Sequence, residues 1–282
     1  MRTRTIAGLP NPAAAAYYTL LEYSSCGKNA IFCSASEERL SQYIDAAVAL
    51  STLDKFSPGP VAALLSGSSH ALSLGLARLR QARRQKSPAI AAAPASEEKP
   101  RLFAPEEYET LLLKLSPGVR GRRSDLAAAL ENAGYERKDF VEQSGEYAVR
   151  GAVLDIFAAD QDSPARLFMA GDYLESMRFF NPDTQESTGP CADLLVIPAR
   201  LPLVGSERGA AAWFSAKPEV LYDAFPQSPE PPVWLGAPDA TLAPLDLSVA
   251  GDCDAGLLPN PMFGADMRRL GLELERLEKA GL

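Results

Sequence analysis

The chain has 282 residues, of which 46% are hydrophobic and 23% are charged, so it can form one large globular domain or two ordinary ones. Its formal net charge of −8 argues against a general nucleic-acid binder, because neutralising phosphates requires clustered Lys and Arg. A single histidine and four cysteines without a C-x-x-C pair argue against a metal site, and the thiols are interpreted as reduced.

Residues 1–117 have the pattern of the first part of an α/β domain. The apolar run 30–33 predicts a buried strand, and residues 40–48 show helical spacing after a capping Ser36. A second helix is expected from the 60s to the 80s, with Leu64, Leu72, Leu76 and Leu79 at helical spacing, and residues 89–93 predict a second strand. The order strand, helix, helix, strand predicts a parallel sheet.

Residues 118–200 predict a separate small α+β domain. A short helix is expected from Ser124, whose hydroxyl can cap it, to Asn132, and Gly134 can end it in the left-handed conformation. The apolar period then changes from helical spacing to two, which is typical of strands.

The strand pattern of this domain is interrupted at three places. Its apolar parity flips across Gly151, which predicts a kink or bulge there. Gly171-Asp172 predicts a two-residue hairpin turn, and Asn181-Pro182-Asp183 predicts a further turn. Antiparallel hairpins are therefore expected to follow the helix.

The remainder of the chain has weaker patterns. Residues 201–262 are interpreted as the second part of the α/β domain, with short strands expected at 220–222, 232–235 and 245–249. Residues 263–282 form an amphipathic pattern, which predicts a C-terminal helix leading to a further segment of a longer protein.

Two general features bear on location and chemistry. No apolar run is long enough to span a bilayer and the proline-containing N-terminus is a poor signal peptide, so a soluble cytoplasmic protein is expected. His70 lies near the predicted start of a helix, where a surface or capping role fits better than catalysis.

Arg150 and Arg166 are the most informative charged residues. Both lie within predicted strands beside apolar neighbours, where a planar guanidinium can bind a carboxylate with two hydrogen bonds. The residues alone leave open whether that carboxylate belongs to a partner protein or to the same chain.

Two basic clusters leave a second alternative open. They are solvated helix faces or contacts for DNA or an acidic partner. Their members are Arg78, Arg80, Arg83, Arg84 and Lys86 in one cluster, and Arg120, Arg122 and Arg123 in the other.

Residues 134–187 carry a resemblance to a known family. Their sequence is GYERKDFVEQSGEYAVRGAVLDIFAADQDSPARLFMAGDYLESMRFFNPDTQES. It resembles the UvrB interaction domain, which is shared by the nucleotide-excision-repair protein UvrB and the transcription-repair coupling factor Mfd. The length and order of the whole chain resemble the N-terminal UvrB-like module of the coupling factors.

The resemblance implies an architecture and a partner. It implies a parallel-sheet domain with a degenerate nucleotide-binding core, into which a small antiparallel UvrA-interaction domain is inserted. The implied function is non-catalytic recruitment of UvrA in nucleotide-excision repair. Segments that bind RNA polymerase and the motor motifs of the family are expected outside this chain.

The resemblance also implies site residues. Arg150 matches the arginine of the family's V-R-G, and Arg166 matches the arginine that opens its R-x-x-F-F strand. Phe168 lies in that strand, and Ala170 stands where the family places an aromatic residue. Phe168 or Tyr173 is the alternative source of that aromatic contact.

The family's nucleotide loop corresponds to Gly8, Pro10, Asn11 and Pro12 in this chain. This loop has no lysine for phosphate and no hydroxyl for Mg²⁺, so neither ATP hydrolysis nor a cofactor is expected. A DNA-binding module that uses the basic helices, and a degenerate UvrB-type ATPase, are the alternative functions.

Overall fold

The computed structural model describes residues 4–7, 11–21, 27–53, 56, 60–95, 102–202, 210–223, 240–242 and 253–254, with the backbone alone for 4–7, 240–242 and 253–254. These residues fall into two compact units. The first comprises Met1–Gly67, Arg78–Leu102 and Glu207–Leu282, and the second comprises Ser68–Ala77 and Phe103–Ser206.

The described residues alternate strands and helices in the first part of the chain and then form a run of strands from β6 to β12. In chain order, the strands are β1 (Arg4–Ala7), β2 (Ala30–Ser34), β3 (Val61–Leu64), β4 (Ala89–Pro94), β5 (Leu113–Leu115), β6 (Glu136–Arg137), β7 (Glu146–Arg150), β8 (Val153–Ile156), β9 (Ala165–Ala170), β10 (Tyr173–Phe180), β11 (Ser187–Pro190), β12 (Leu194–Val196), β13 (Glu219–Asp223), β14 (Ala240–Leu242) and β15 (Cys253–Asp254). The helices are α1 (Pro12–Thr19), α2 (Glu37–Ser51), α3 (Ser69–Gln85), α4 (Pro105–Thr110) and α5 (Arg123–Asn132), with a 3-10 helix at Ala210–Trp213.

The first unit contains a parallel sheet in the order β15-β1-β14-β13-β2-β4-β3. All of its strand pairs are parallel. Every residue of β2 is buried, which suits a central parallel strand covered on both faces. The predicted strands at 30–33 and 89–93, and the parallel sheet itself, are confirmed. The second predicted helix begins later than expected, at Ser69, because Leu64 belongs to the strand β3.

Helix α2 packs its apolar stripe against α1 and the sheet. Ser36 caps it as predicted, because its hydroxyl accepts a hydrogen bond from the backbone N–H of Arg39. Leu40 and Tyr43 are fully buried, and the Tyr43 ring stacks on Phe32 with 4.1 Å between centroids. The predicted helix over 40–48 is therefore confirmed.

The second unit contains an antiparallel sheet in the order β11-β10-β9-β8-β7-β6, in which only the short β6 is parallel to its neighbour. A separate ladder pairs β5 with β12. The predicted hairpin turn at Gly171-Asp172 is confirmed, because Ala170 pairs with Tyr173 and Gly171 has a φ of +62°. The architecture is therefore mixed α/β, as predicted.

Two local predictions in this unit are wrong. Gly151 lies in a hairpin turn instead of a kink, since Arg150 pairs with Val153 and Gly151 adopts a φ of +57°. The hairpin explains the parity flip, because it pairs Leu154 with Val149 and so places both side chains on the same face of the sheet. Ser124 does not cap α5, because the helix begins one residue earlier and the Ser124 hydroxyl donates to Asp125 instead.

The remaining predictions concern two turns and the C-terminal part of the chain. The turn after Asn181 and the left-handed Gly134, with a φ of +81°, are confirmed. The strand expected at 220–222 lies within β13. The strands expected at 232–235 and 245–249 and the helix expected at 263–282 lie outside the described residues. Within the described part of the chain, no helix is long and apolar enough to cross a membrane.

Candidate functional site

The antiparallel sheet brings the four predicted partner-binding residues to one face. Register determines this, because residues directly opposite each other on neighbouring strands share a face. Arg150 lies opposite Val153, which lies opposite Phe168. Arg166 and Ala170 follow on the same side of β9 at two-residue intervals. This side of the sheet is called the arginine face below.

The opposite face of the sheet is the hydrophobic one. Its side chains alternate with those of the arginine face, and most of them are buried. The buried ones are Tyr147, Leu154, Ile156, Leu167, Met169, Leu174 and Met177. The sheet is therefore anchored on one side, and the arginine face is the side that retains partial exposure.

The centre of the arginine face is a cluster of two arginines on one aspartate. Asp155 lies on β8 opposite Arg166, and its side chain is only 1% exposed. Arg166 binds it through two nitrogens, with Nε to Oδ1 at 2.8 Å and Nη2 to Oδ2 at 3.0 Å. Arg150 donates from Nη2 to Oδ2 at 2.5 Å. We call these three residues the arginine–aspartate cluster.

Arg166 is enclosed on several sides. Its Nη1 donates to the backbone carbonyl of Gln185 and its Nη2 to the Gln185 side-chain carbonyl, both at 3.2 Å. Its guanidinium lies over the ring of Phe180, 4.5 Å from the centroid. The hydrogen bonds to Asp155 raise the pKa of Arg166, so its positive charge is permanent.

Arg150 is held less tightly and is more open. Its side chain is 38% exposed, compared with 17% for Arg166. Within the described residues, Nη2 is its one nitrogen with a hydrogen-bond partner. Its guanidinium lies 4.8 Å from the centre of the Phe140 ring, which is itself 54% exposed. Arg150 can therefore donate hydrogen bonds to an incoming carboxylate.

Aromatic and basic neighbours extend the face. Phe168 is half-buried, and Ala170 lies opposite Tyr173, whose side chain is 47% exposed. Directly opposite side chains have Cβ atoms about 4.5–5.5 Å apart, so the Tyr173 ring can cover the position of Ala170. Arg178 lies opposite Arg166 on β10 and is exposed.

Three members of this face were not found from the sequence. Asp155 was missed because it appears in sequence as one acid in an apolar strand. Phe140 precedes the strands in a polar segment, and Arg178 reaches this face because of an irregular register in β10. A signal for Asp155 was present, because reading Gly151 as a hairpin turn places it on the side of Arg150.

The predicted nucleotide loop is only partly described. Gly8 and Pro10 lie outside the described residues. Asn11 caps α1, because its side-chain oxygen accepts a hydrogen bond from the Ala14 N–H at 2.9 Å, and Pro12 is the first helical residue. These two residues are thus used by the start of the helix.

The basic clusters have different surroundings. Arg78 donates to the backbone carbonyl of Ala62, and Arg83 donates to that of Ala212. Arg120, Arg122 and Arg123 are exposed around the start of α5. Arg120 forms an antiparallel bridge with Tyr173, so the second cluster begins beside the arginine face.

Residues with metal-binding or nucleophilic potential do not converge. The part of the chain that the structure describes contains no group of three or more His, Cys, Asp or Glu that could hold a metal ion. Burial raises the pKa of the Cys33 thiol to about 12 and also raises that of Cys191, so both thiols stay protonated. His70 Nδ1 lies 3.0 Å from the carbonyl oxygen of Ala199.

Comparison with known proteins finds a match to the part of the chain that contains the antiparallel sheet. Residues 113–201 match the family model described as the UvrB interaction domain. The matched range contains the arginine–aspartate cluster and β5 to β12. The resemblance seen in residues 134–187 is therefore confirmed.

Curated relatives match part of the chain. The transcription-repair-coupling factor of Myxococcus xanthus is 34% identical over 107 residues, which are 38% of this chain and 9% of that protein. That of Escherichia coli K12 is 37% identical over 87 residues, which are 31% and 8%. UvrABC system protein B of Latilactobacillus sakei is 32% identical over 117 residues, which are 41% and 18%. The chain thus matches a small fraction of each relative's length.

Proposed function

We propose that this chain is a non-catalytic interaction module of nucleotide-excision repair that recruits UvrA through the arginine face. The family match over residues 113–201 supports the interaction role, and the names of the relatives support the repair setting. Under this proposal residues 118–200 act as the docking domain and a carboxylate of UvrA binds the arginine–aspartate cluster.

The observation that carries the proposal is the charge imbalance of the cluster. Two permanent positive charges, on Arg150 and Arg166, are opposed by the one carboxylate of Asp155. One positive charge of the cluster is therefore uncompensated, and the exposed Arg178 opposite Arg166 adds a further positive charge to the face. A partner carboxylate would neutralise the charge of the cluster and form charge-assisted hydrogen bonds, each contributing about 1.5–3 kcal/mol.

Aromatic side chains would supply the apolar part of the interface. Hot spots in protein interfaces are enriched in Tyr, Trp and Arg. Tyr173, which lies opposite Ala170, replaces the aromatic residue that the family places at the alanine, and Phe168 and Phe140 complete the apolar surface. We therefore assign docking to Arg150, Arg166, Phe168 and the Ala170–Tyr173 pair.

The proposal includes an architecture and a location. Strands from both ends of the chain pair in one parallel sheet, which supports the insertion of 118–200 between the two parts, 1–117 and 201–262, of an α/β domain. The absence of lysine and hydroxyl side chains at positions 8–12 supports a degenerate nucleotide-binding core. A cytoplasmic location accords with a role in DNA repair.

The test is binding to purified UvrA from the same organism. We expect the chain and UvrA to co-elute in size-exclusion chromatography at low salt, and the complex to weaken as salt increases. Failure to co-elute at micromolar concentrations would contradict the proposal.

DNA binding is the second candidate function, and the exposed Arg120, Arg122 and Arg123 favour it. A gel shift with duplex DNA tests it on the same preparation, together with a phosphate-release assay with ATP. Salt-dependent DNA binding that Arg123→Ala weakens would support this alternative. If the chain hydrolyses ATP and substitutions at positions 8–12 abolish this hydrolysis, the non-catalytic assignment is refuted.

A further inference from the structure

Gln185 has an unusual backbone conformation in the loop that follows β10. It is one of two non-glycine residues with positive φ among those described, at +61°. Its backbone N–H donates to the carbonyl of Asn181 at 2.8 Å, and the Asn181 side chain accepts from the backbone N–H groups of Asp183 and Thr184. The loop is thus closed in a conformation that L-residues disfavour.

The side chain of Gln185 is oriented by its own hydrogen bonds. Its Nε2 donates to the carbonyl of Pro182 at 2.7 Å and to that of Val141 at 3.4 Å. Because both of these groups are acceptors, the amide nitrogen must face them and the amide oxygen must face Arg166. The orientation of the amide is therefore determined by its surroundings.

The backbone and side-chain carbonyl oxygens of Gln185 accept hydrogen bonds along the edge of the Arg166 guanidinium that Asp155 does not cover. A guanidinium has five N–H donors, and Arg166 makes four hydrogen bonds, two to Asp155 and two to Gln185. Arg166 therefore has little capacity for a second carboxylate, whereas Arg150 retains most of its donors. Gln185 bonds as a neutral acceptor and leaves the charge of Arg166 uncancelled.

We propose that Gln185 is a specificity-determining residue of the arginine face: it closes the outer edge of Arg166 with neutral oxygens, so that one net positive charge remains for a single partner carboxylate entering at Arg150. This inference rests on the proposed function for the identity of the partner. An acid at position 185 would cancel the charge from within the chain, and it would also lose the two hydrogen bonds that the amide donates to Pro182 and Val141.

The first test needs no partner. The carboxyl introduced by Gln185→Glu should lie against Arg166, in a cluster that also contains Arg150 and Asp155, and carbon-13 NMR would follow its titration. We expect a pKa at least about one unit below the ordinary glutamate value of about 4.3. A pKa at or above the ordinary value would overturn the placement of Gln185 on Arg166.

The second test measures UvrA affinity by calorimetry. Gln185→Glu should weaken binding about 10-fold or more, with Gln81→Glu as a matched control that adds the same charge on an exposed position of α3. Gln185→Ala, which removes the side-chain clamp without adding charge, should weaken binding less than Gln185→Glu. Equal losses for the two variants, or wild-type affinity for Gln185→Glu, would overturn the proposal.

The two tests separate the possible failures. If the wild-type chain does not bind UvrA, the proposed function fails, and the carboxyl titration alone decides whether Gln185 occupies Arg166. If the wild type binds and the introduced carboxyl titrates normally, the proposed function stands and the role of Gln185 is refuted.

Discussion

Each unit of the molecule contains a buried aspartate bound by arginine, and the two sites differ in their charge balance. In the first unit, Arg39 binds Asp223 through Nε at 2.6 Å and Nη2 at 2.8 Å, and Ser34 donates a further hydrogen bond. In the second unit, Asp155 is bound by Arg150 and Arg166 together.

The difference indicates a difference in role. Arg39 and Asp223 carry equal and opposite charges, and their geometry joins the end of β13 to the first turn of α2. Such a pair joins two elements of its own unit. The arginine–aspartate cluster retains one positive charge on a half-exposed sheet face, where a partner can use it.

The largest expected effect is the loss of stability on breaking the Arg39–Asp223 ion pair. Arg39→Ala leaves the carboxylate of Asp223, which is 5% exposed, without its guanidinium partner. We expect the free energy of unfolding of the first unit to fall by about 3–5 kcal/mol, measured by urea denaturation. UvrA affinity of the folded protein should not change. A loss of stability below about 1 kcal/mol would contradict the structural role of the pair.

Arg166→Ala should destabilise its unit less, because Asp155 keeps Arg150 as a partner. We expect a loss of about 1.5–3 kcal/mol, the magnitude of hydrogen bonds to a charged group. Urea denaturation of the two arginine variants side by side gives the comparison. The distinction between balanced and unbalanced sites fails if Arg166→Ala costs more than Arg39→Ala.

The aromatic part of the arginine face should affect binding alone. Tyr173→Ala removes an exposed ring, so we expect about a 3- to 10-fold loss of UvrA affinity with little change in melting temperature. Ala170→Phe, which restores the family's aromatic residue, should strengthen binding. The assignment of this edge of the face is wrong if calorimetry finds both variants equal to wild type.

The smallest expected effect concerns the buried side of the same sheet. Burial, followed by the hydrogen bond to Glu131, raises the pKa of Tyr147 to about 12. The folded protein therefore holds this proton more tightly than the unfolded chain, whose phenol titrates near 10. The resulting stability is complete below about pH 10 and is lost as pH rises towards 12.

Tyr147→Phe isolates this contribution, because the other tyrosines are common to both proteins. The difference in unfolding free energy between wild type and variant should narrow by about 1 kcal/mol or more between pH 9 and pH 11.5. A difference that stays constant over this range would show that the phenol proton is not linked to folding.

The sequence predicts β2, β4 and α2 of the first unit for a physical reason, whereas Leu64 of β3 was assigned to a helix. Residues 30–34 and 89–94 are continuous apolar runs, and α2 has a capping serine and an apolar stripe, so local signals agree with the final packing. The hairpin at Gly171-Asp172 is equally local, because glycine can adopt the positive φ that the turn requires.

The composition of the arginine–aspartate cluster is less accessible from sequence. It depends on pairings between strands, and one pairing is shifted by a bulge between Leu174 and Ser176. The bulge places Arg178, in place of Met177, opposite Arg166. The alternation of polar and apolar residues along a single strand gives no sign of such a shift in strand register. The shared carboxylate was missed for another reason, because Asp155 joins the arginines only when Gly151 is read as a hairpin turn that pairs β8 with β7.

The most direct test of the account is a calorimetric titration of UvrA with Arg150→Ala. Arg150 has the open donors of the cluster, and Asp155 keeps Arg166 in this variant, so stability should change little. Arg84→Ala, which removes an exposed positive charge from α3, is the matched control. We expect Arg150→Ala to weaken binding about 10-fold or more and the control to leave it unchanged. Equal affinity for Arg150→Ala and wild type would contradict docking at the arginine face.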